Sequence, residues 1–323
     1  MGRRIHGSGP PHATVMVIGS QPGWEEDKAG QVFVGRTGDE IDRFLDGDRL
    51  PARDDVWLTN LHREYHGKDY VYTADDLQRD EHVLLTELRA VRPALIVPLG
   101  AKVTRWVLGD VDLESTWGIP WKLPAVDKWA FLDNSTVVFP VHHPASAFHN
   151  SDMAAYVVAG FNQLAAYFDG AIEPRVLFDD PYPEVQYEEI TTEARLQSRL
   201  QGLQTGTPLA IDTEGWPDRP WSVQFSSRPG IGYCIRAIRR DVLAAFGDTL
   251  RRVRPRLVYH SALHDLRMMR VLGLPTDLPF DDTMVMAYLL QLEPQGLKPL
   301  CARHCGMKMQ HYDEVLGDAS QRL

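Results

Sequence analysis

The chain has 323 residues, and its 34 basic and 44 acidic side chains give a net charge of −10 and an isoelectric point near 5.6. This length accommodates two domains with separate cores. The acidic net charge excludes a protein that coats nucleic acid through general positive charge. No apolar run approaches the roughly eighteen residues that a membrane span requires. The cysteines, Cys234, Cys301 and Cys305, all lie in the C-terminal third, which argues against a disulfide framework and for a reducing, cytoplasmic compartment.

Apolar runs bounded by turn residues alternate with helical patterns in the first half of the chain. Strands are predicted at 14–19, 56–59, 94–99 and 137–141, and helices at 38–45 and 80–91. Strands that alternate with crossover helices form parallel sheets with helices on both faces. The sequence therefore predicts a three-layer α/β/α domain.

Polar segments follow each of these strands. They are the GSQPG segment at 19–23, Asn60, the turn at Gly100 and the HHPAS segment at 142–146. Because ligands bind outside the carboxyl ends of parallel strands, these four segments are expected to converge on one crevice.

A stretch rich in proline and acids, 173–187, separates two parts of the chain. The predicted organisation is a domain over 1–170, a linker with a leading polar helix (190–203) over 171–207, and a second domain over 208–323. In the second domain we predict a strand at 209–212, a hairpin of 221–225 with 231–236, and a strand at 257–260 that runs into a helix. This order predicts a mixed sheet.

The segments VMVIGSQPGWEEDKAGQVFVGRTGDEIDRFL (15–45), TNLHREY around Asn60, VRPALIVPLGAKVTRWVLG (91–109) and VFPVHHPASAF (138–148) resemble the motifs of family 4 uracil-DNA glycosylases, in the same order. The resemblance covers about half the chain. It implies that Phe33 holds a flipped uracil, that Asn60 reads its edge, and that His143 donates a hydrogen bond to the departing base. Taken singly, Phe33 also fits a core position, Asn60 a turn cap and His143 a loop.

The loop after the first strand departs from the family pattern. The resemblance implies that Gly19, Ser20, Gln21, Pro22 and Gly23 contact substrate, but Ser20 and Gln21 stand where the family has Glu and Ala, and family 1 enzymes have Asp at the second position. Neither side chain carries the charge that would orient water. Two later carboxylates, Glu26 and Asp27, are therefore the candidates for that role.

Family 4 members usually hold an iron-sulfur cluster on four cysteines, and the first 233 residues contain none. No cluster is expected. The alternative to excision is a catalytically inactive module that binds DNA or senses uracil for a polymerase.

The segments AIDTEG, VYHSALHDLRMM and DDTMVMAYLLQ resemble the first two motifs of 3′-5′ proofreading exonucleases of the DNA-polymerase-I type, with Ser261 where Asn is usual. The resemblance implies a partial ribonuclease-H-like (DnaQ-like) domain. Asp212 and Glu214 lie two apart on a strand and so share a face, and together with Asp265 they are the predicted ligands of Mg²⁺ or Mn²⁺. A DxE pair alone is a common exposed pattern. Asp282 is expected to begin its helix and not to bind metal.

A third motif is expected beyond the last residues, which makes exonuclease activity incomplete in this chain. The order of the two domains resembles the N-terminal part of family A DNA polymerases of some bacteriophages. The implied partners are DNA, single-stranded or uracil-containing, and the remaining polymerase segment in cis or in trans. The implied location is the cytoplasm of a bacterium or of a phage-infected host, without a membrane partner.

Overall fold

The computed structural model describes residues 2–67, 70–179, 184–291 and 293–309. They form two compact units, one of 2–179 with 301–309 and one of 184–300. Within these ranges, no helix combines the length and apolarity needed to cross a bilayer.

The first unit is built on a five-stranded sheet. Its strands are β1 (Val15–Gly19), β2 (Val56–Asn60), β3 (Leu95–Pro98), β4 (Trp121–Lys122) and β5 (Val137–Val138). Its helices are α1 (Trp24–Ala29), α2 (Gly35–Phe44), α3 (Ala74–Val91), α4 (Ala101–Leu108), α5 (Leu113–Thr116), α6 (Ser146–His149) and α7 (Met153–Phe168), with short 3-10 turns at Arg53–Asp55 and Asp127–Trp129. The strand order is β2-β1-β3-β5-β4, and all neighbours are parallel except β4 with β5.

Both faces of this sheet are covered. Strand β1 is buried at every position, and its alternate residues enter different cores: Val15 and Val17 join residues of α2 and α7, whereas Met16 and Ile18 join residues of α3 and α4. This follows from the two-residue period of a strand. The predicted three-layer parallel architecture is confirmed.

Helix α3 begins earlier than the predicted residue 80. The Thr73 hydroxyl accepts from the Asp76 amide, and the Asp76 carboxylate accepts from the Thr73 amide. Such a capping box satisfies two otherwise unpaired backbone donors and fixes the first turn.

The second unit contains a mixed six-stranded sheet. Its strands are β6 (Gln186–Glu189), β7 (Pro208–Trp216), β8 (Arg219–Ser226), β9 (Ile231–Arg236), β10 (Arg256–Tyr259) and β11 (Phe280–Asp282). Its helices are α8 (Glu193–Arg199), α9 (Arg240–Val253), α10 (Ala262–Val271), α11 (Thr283–Leu290) and α12 (Leu297–Leu300). A π-helical turn, Cys301–Cys305, follows and packs with the first unit.

The order of this sheet is β11-β10-β7-β8-β9-β6. Strands β7, β8 and β9 are antiparallel, and the other neighbours are parallel. The predicted mixed sheet is confirmed. Strand β7 extends four residues beyond the predicted end at Asp212, because it pairs with β8 as far as Trp216 with Arg219.

Two helix starts in this unit are set by side-chain caps. Thr192 accepts from the Arg195 amide, so α8 begins at Glu193 and is shorter than the predicted 190–203. Asp282 accepts from the amides of Met284 and Val285, which confirms that it begins α11.

Candidate functional site

The polar segments of the first unit lie at one edge of its sheet. Gly19 pairs with Asn60, Leu99 bridges to Val141, and the Gly100 amide donates to the Val141 carbonyl at 2.8 Å. These positions are the carboxyl ends of four adjacent strands. The structure therefore brings the GSQPG loop, Asn60, Gly100 and the HHPAS segment to a common edge.

Asn60 and Phe33 both pack against Gly19. A Cβ atom added at Gly19 would lie 2.3 Å from Asn60 Oδ1 and 2.8 Å from Phe33 Cζ, so only glycine fits there. Asn60 is 1% exposed, and its Nδ2 atom has no hydrogen-bond partner in the described part of the chain. A buried amide donor without a partner costs free energy unless a ligand satisfies it.

Phe33 is a core residue whose ring also packs against Gly19. It is 3% exposed and belongs to the same hydrophobic cluster as Val15 and Val17. Its backbone has φ of 50°, and its carbonyl accepts from Arg53 Nη2 at 2.9 Å. This left-handed conformation is uncommon for an aromatic residue, and the Arg53 contact helps to hold it.

The His143 ring is neutral near pH 7 because of its burial. Desolvation by burial lowers its pKa to about 4. Its Nδ1 atom accepts from the Ala145 amide at 3.2 Å, and its carbonyl accepts from the Ser146 hydroxyl at 2.7 Å. Because Nδ1 is an acceptor, the proton of the neutral ring lies on Nε2, which is a hydrogen-bond donor.

The GSQPG loop is fixed by residues that follow β2. The Ser20 carbonyl accepts from the His62 amide at 2.9 Å, and Gln21 Oε1 accepts from the Tyr72 hydroxyl at 2.7 Å. Pro22 is buried. Tyr72 occupies one lone pair of the Gln21 amide oxygen, and the amide nitrogen of Gln21 still offers two donors.

The two carboxylates proposed from sequence have different environments. Glu26 is 7% exposed and accepts from the Gly23 amide; desolvation by burial raises its pKa above the ordinary range, although backbone hydrogen bonds, including that of Gly23, oppose the rise. Asp27 instead accepts from the Arg3 amide at 2.6 Å. The structure therefore keeps Glu26 at the loop and directs Asp27 toward the N-terminal segment.

Sequence reasoning missed the aromatic group beside Gln21. The rings of His62 and Tyr72 stack with centroids 3.7 Å apart, and Lys102 Nζ lies 4.5 Å from the Tyr72 centroid. Desolvation by burial raises the pKa of Tyr72, so its hydroxyl remains a donor. The only signal in the sequence was the density of Tyr and His in HREYHGKDYVYT, which has no strand or helix period.

In the second unit, the three predicted metal ligands are neighbours. Asp212 and Glu214 are exposed on β7, whereas Thr213 is buried and donates to Asp265 Oδ1 at 2.7 Å. Desolvation, with a further contribution from Asp212, raises the pKa of Asp265 to about 6, and desolvation and Asp212 also raise the pKa of Glu214. The Asp212 charge therefore disfavours the charged forms of both Glu214 and Asp265.

No group of three or more His, Cys, Asp or Glu side chains is arranged to hold a metal ion in the part of the chain that the structure describes. The Asp212 charge acts on both Glu214 and Asp265, but the three carboxylates do not form an assembled ligand set. Asp282 accepts from the Ser261 and Ala262 amides as well as from its own helix.

Each unit matches a protein family. Residues 6–165 match the uracil DNA glycosylase superfamily, and residues 187–323 match a 3′-5′ exonuclease family. A type-4 uracil-DNA glycosylase of Sulfurisphaera tokodaii is 26% identical over 160 residues, which cover 50% of this chain and 72% of that protein. The type-4 enzyme of Archaeoglobus fulgidus is 26% identical over 162 residues, covering 50% of this chain and 79% of that protein.

Among solved structures, the catalytic core of RRP6 from Trypanosoma brucei is similar to 40% of this chain, at 18% identity and a TM-score of 0.35. The aligned part spans only 37% of the length of that protein.

Proposed function

The chain joins a domain of the uracil DNA glycosylase superfamily, residues 6–165, to a domain of a 3′-5′ exonuclease family, residues 187–323, and we propose that the first domain recognises uracil in DNA and hydrolyses its N-glycosidic bond. Both are families of hydrolases, in agreement with the predicted class of enzyme. The observation that carries the proposal is the buried, unpartnered amide of Asn60 against Gly19 and Phe33.

Asn60 and Phe33 supply recognition in this proposal. An amide can donate to and accept from the edge of uracil, and the site is too close-packed around Gly19 for a larger loop residue. The uracil satisfies the Asn60 donor, and the Phe33 ring lies against the base. The Gln21 donors and the backbone of the loop contact the sugar or a phosphate.

His143 supplies stabilisation of the leaving group. As the glycosidic bond breaks, negative charge develops on the uracil oxygens, and a donor aimed at that charge lowers the barrier. The neutral His143 ring can donate from Nε2, because the Ala145 amide occupies Nδ1. Glu26 is the carboxylate at the loop that could orient the attacking water, and its hydrogen bond from Gly23 positions it.

Uracil sensing without cleavage is the second candidate function. A specific observation favours it: the acceptor atom of Gln21 is bound by Tyr72, and the Glu26 carboxylate is bound by Gly23. Hydrogen bonds already hold one acceptor site of each group, and neither Ser20 nor Gln21 carries a charge that would orient water. The base pocket would remain able to bind a flipped uracil.

One assay separates these two functions. Single-stranded DNA with one uracil is incubated with the full chain, and free uracil and retained DNA are both measured. Excision predicts uracil release that Asn60→Ala and His143→Ala abolish, whereas sensing predicts retention without release. Absence of both signals at high protein excess would reject the glycosylase-like assignment.

For the second domain we propose metal-dependent removal of nucleotides from a 3′ end. Asp212, Glu214 and Asp265 would hold Mg²⁺ or Mn²⁺, since carboxylate oxygens are the ligands that these ions prefer. Desolvation by burial is the main cause of the raised pKa of each of the three, and a bound cation would favour their charged forms. A bound divalent cation would activate water and stabilise the leaving oxygen of a phosphodiester. Thr213 orients the Asp265 carboxylate by its hydrogen bond.

The exonuclease proposal is tested with 3′-labelled single-stranded DNA and Mn²⁺. Degradation should depend on the metal and disappear in Asp212→Asn and in Asp265→Asn. We also propose that the domain proofreads for a family A DNA polymerase, in cis or in trans, in the cytoplasm of a bacterium or phage-infected host. If degradation is weak alone and a polymerase segment does not increase it, that context is rejected.

A further inference from the structure

Two tryptophans at the tip of the β7–β8 hairpin are exposed. Trp216 is 59% exposed and Trp221 is 49% exposed, whereas Trp117, Trp121 and Trp129 are each under 5%. Neither exposed indole has a ring or hydrogen-bond partner among the residues that the structure describes. Large aromatic side chains are usually buried, and exposed ones commonly mark an interaction surface.

A β-bulge fixes this tip next to the acidic residues. Glu214 pairs with Ser222, but Gly215 pairs with Pro220, so Trp221 is the extra residue. Gly215 has φ of 125°, and a Cβ atom there would lie 2.7 Å from the Trp221 amide nitrogen, so glycine is required. Bulges next to active sites redirect side chains. Trp216 follows Glu214 by two residues, about 7 Å along an extended strand.

Unpaired cations accompany the tryptophans. Arg219 pairs with Trp216 across the hairpin, and Arg236 pairs with Ser222, the partner of Glu214. Neither guanidinium has a carboxylate partner in the described part of the chain. Because Asp212, Glu214 and Asp265 would repel a phosphate backbone, a cation beside them favours the approach of a polyanion.

From these contacts we propose that Trp216, Arg219, Trp221 and Arg236, the tryptophan–arginine patch, bind single-stranded DNA beside the scissile phosphodiester. The bases stack on the indoles and the phosphates contact the guanidiniums. A duplex does not fit this chemistry, because its bases are paired and stacked on one another. The inference rests on the proposed exonuclease function, in which a DNA strand passes the acidic residues.

The test measures binding without hydrolysis. Fluorescence anisotropy of labelled (dT)12 is recorded in EDTA for the full chain. Trp216→Ala with Trp221→Ala should weaken binding about tenfold or more, since each stacked base contributes at least several-fold. Trp216→Phe should retain most of the affinity. Tyr187→Ala is the matched control, because Tyr187 is an 82% exposed aromatic on β6 of the same sheet.

A second oligonucleotide keeps the phosphates but lacks the three bases nearest its 3′ end. The wild-type chain should bind it more weakly than intact (dT)12, and the double variant should bind the two equally. Equal binding of both by the wild-type chain would overturn the proposal. The proposal would also be overturned if Tyr187→Ala lost as much affinity for (dT)12 as the folded double variant. The same holds if the double variant lost as much affinity for a blunt duplex as for (dT)12.

The two proposals fail separately. Asp212→Asn with Glu214→Gln should abolish degradation and leave binding of (dT)12 in EDTA at least as strong, because two negative charges are removed. If the wild-type chain never degrades DNA but the double tryptophan variant still loses binding, the patch stands and the exonuclease proposal does not. If degradation is intact and binding is insensitive to both tryptophans, the patch alone is rejected.

Discussion

His143 shows how strongly a side chain depends on its surroundings. An ordinary histidine titrates at 6.5, and burial lowers the pKa of His143 to about 4. A histidine is neutral at pH values well above its pKa, so the His143 ring is neutral from about pH 5 upward. The Ala145 amide then determines which ring nitrogen carries the proton.

This predicts the pH dependence of uracil release. From about pH 8 down to about 5 the His143 ring stays neutral, and its contribution to the rate is constant. As the pH falls toward 4 the ring is protonated, and hydrogen-bond donation by His143 no longer depends on one tautomer. Single-turnover uracil release should therefore show no inflection near 6.5 and a change near 4. An inflection near 6.5 that is absent from His143→Gln would contradict the lowered pKa.

Tyr72 is predicted to position Gln21. Tyr72→Phe removes the hydroxyl that donates to Gln21 Oε1, so the amide is free to rotate. We expect uracil release to fall by roughly fivefold, which corresponds to one hydrogen bond of about 1 kcal/mol, with little change in folding stability.

The matched control for this variant is Tyr70→Phe. It removes the same atom from a neighbouring ring, but the Tyr70 hydroxyl donates to Asp76 at the start of α3 and not to the loop. Equal losses in the two phenylalanine variants, measured as single-turnover rate constants, would assign the effect to the whole aromatic group.

Among the elements, β11 and α11 meet at a shared cap. The Asp282 carboxylate accepts from two amides at the start of its own helix and from two at the start of α10. Burial acts to raise the pKa of Asp282, but the backbone hydrogen bonds of Ala262, Ser261, Met284 and Val285 outweigh it and hold the pKa below the ordinary value. One side chain thus joins two helix starts, one of which carries Asp265.

Asp282→Ala is expected to reduce the free energy of unfolding of the second unit by about 1–3 kcal/mol, because it leaves four backbone donors without their acceptor. Urea unfolding followed by circular dichroism measures the change. Asp277→Ala is the control, since Asp277 is an exposed acid without a hydrogen-bond or ion-pair partner among the residues that the structure describes. A loss below about 0.5 kcal/mol, the usual size of a surface substitution, would contradict the shared cap.

At the scale of the molecule, the two units have separate cores. Burial shifts the pKa values of ionisable side chains in both units. In the first unit, burial lowers the pKa of His142 and of His143 to about 4. In the second, burial and neighbouring carboxylates raise the pKa of Asp265 to about 6 and also raise that of Glu214. Proton binding by the two histidines and by Asp265 therefore affects folding with opposite sign, whereas the raised pKa of Glu26 in the first unit and the lowered pKa of Asp282 in the second act in the other direction within their units.

Calorimetry in EDTA should reveal this difference. The two histidines bind protons better when unfolded, so their contribution to the first unit is present above 6.5 and is lost as the pH falls toward 4. Asp265 binds a proton better when folded, so its contribution to the second unit is present below 3.8 and is lost as the pH rises through about 6. Between these limits the contributions of the histidines and of Asp265 to the two transitions should change in opposite directions.

Asp282→Ala assigns the transitions, because it should shift only that of the second unit. Adding Mg²⁺ near neutral pH should raise the second transition if the cation binds the folded carboxylates. An unchanged pH dependence of the second transition in Asp265→Asn would contradict the raised pKa of Asp265.

Local sequence patterns predicted the four parallel strands of the first unit and the polar segments that follow them, but not β4, α1 or the helices α4 to α7. Alternation of apolar runs with helical patterns predicted the parallel sheet, so the positions of GSQPG, Asn60 and HHPAS at its carboxyl edge followed from local periodicity. The two-residue period of a strand likewise predicted that Asp212 and Glu214 share a face. These features depend on residues close together in the chain.

The hydrogen-bond partners, pKa values and exposure of those residues depend on the tertiary structure. Gln21 is bound by Tyr72 over a separation of 51 residues, and Asp265 by Thr213 over 52. The lowered pKa of His143 and the exposure of Trp216 depend on which distant elements cover each side chain. Burial and hydrogen-bond partners come from contacts across the fold, and a local sequence pattern carries no information about them.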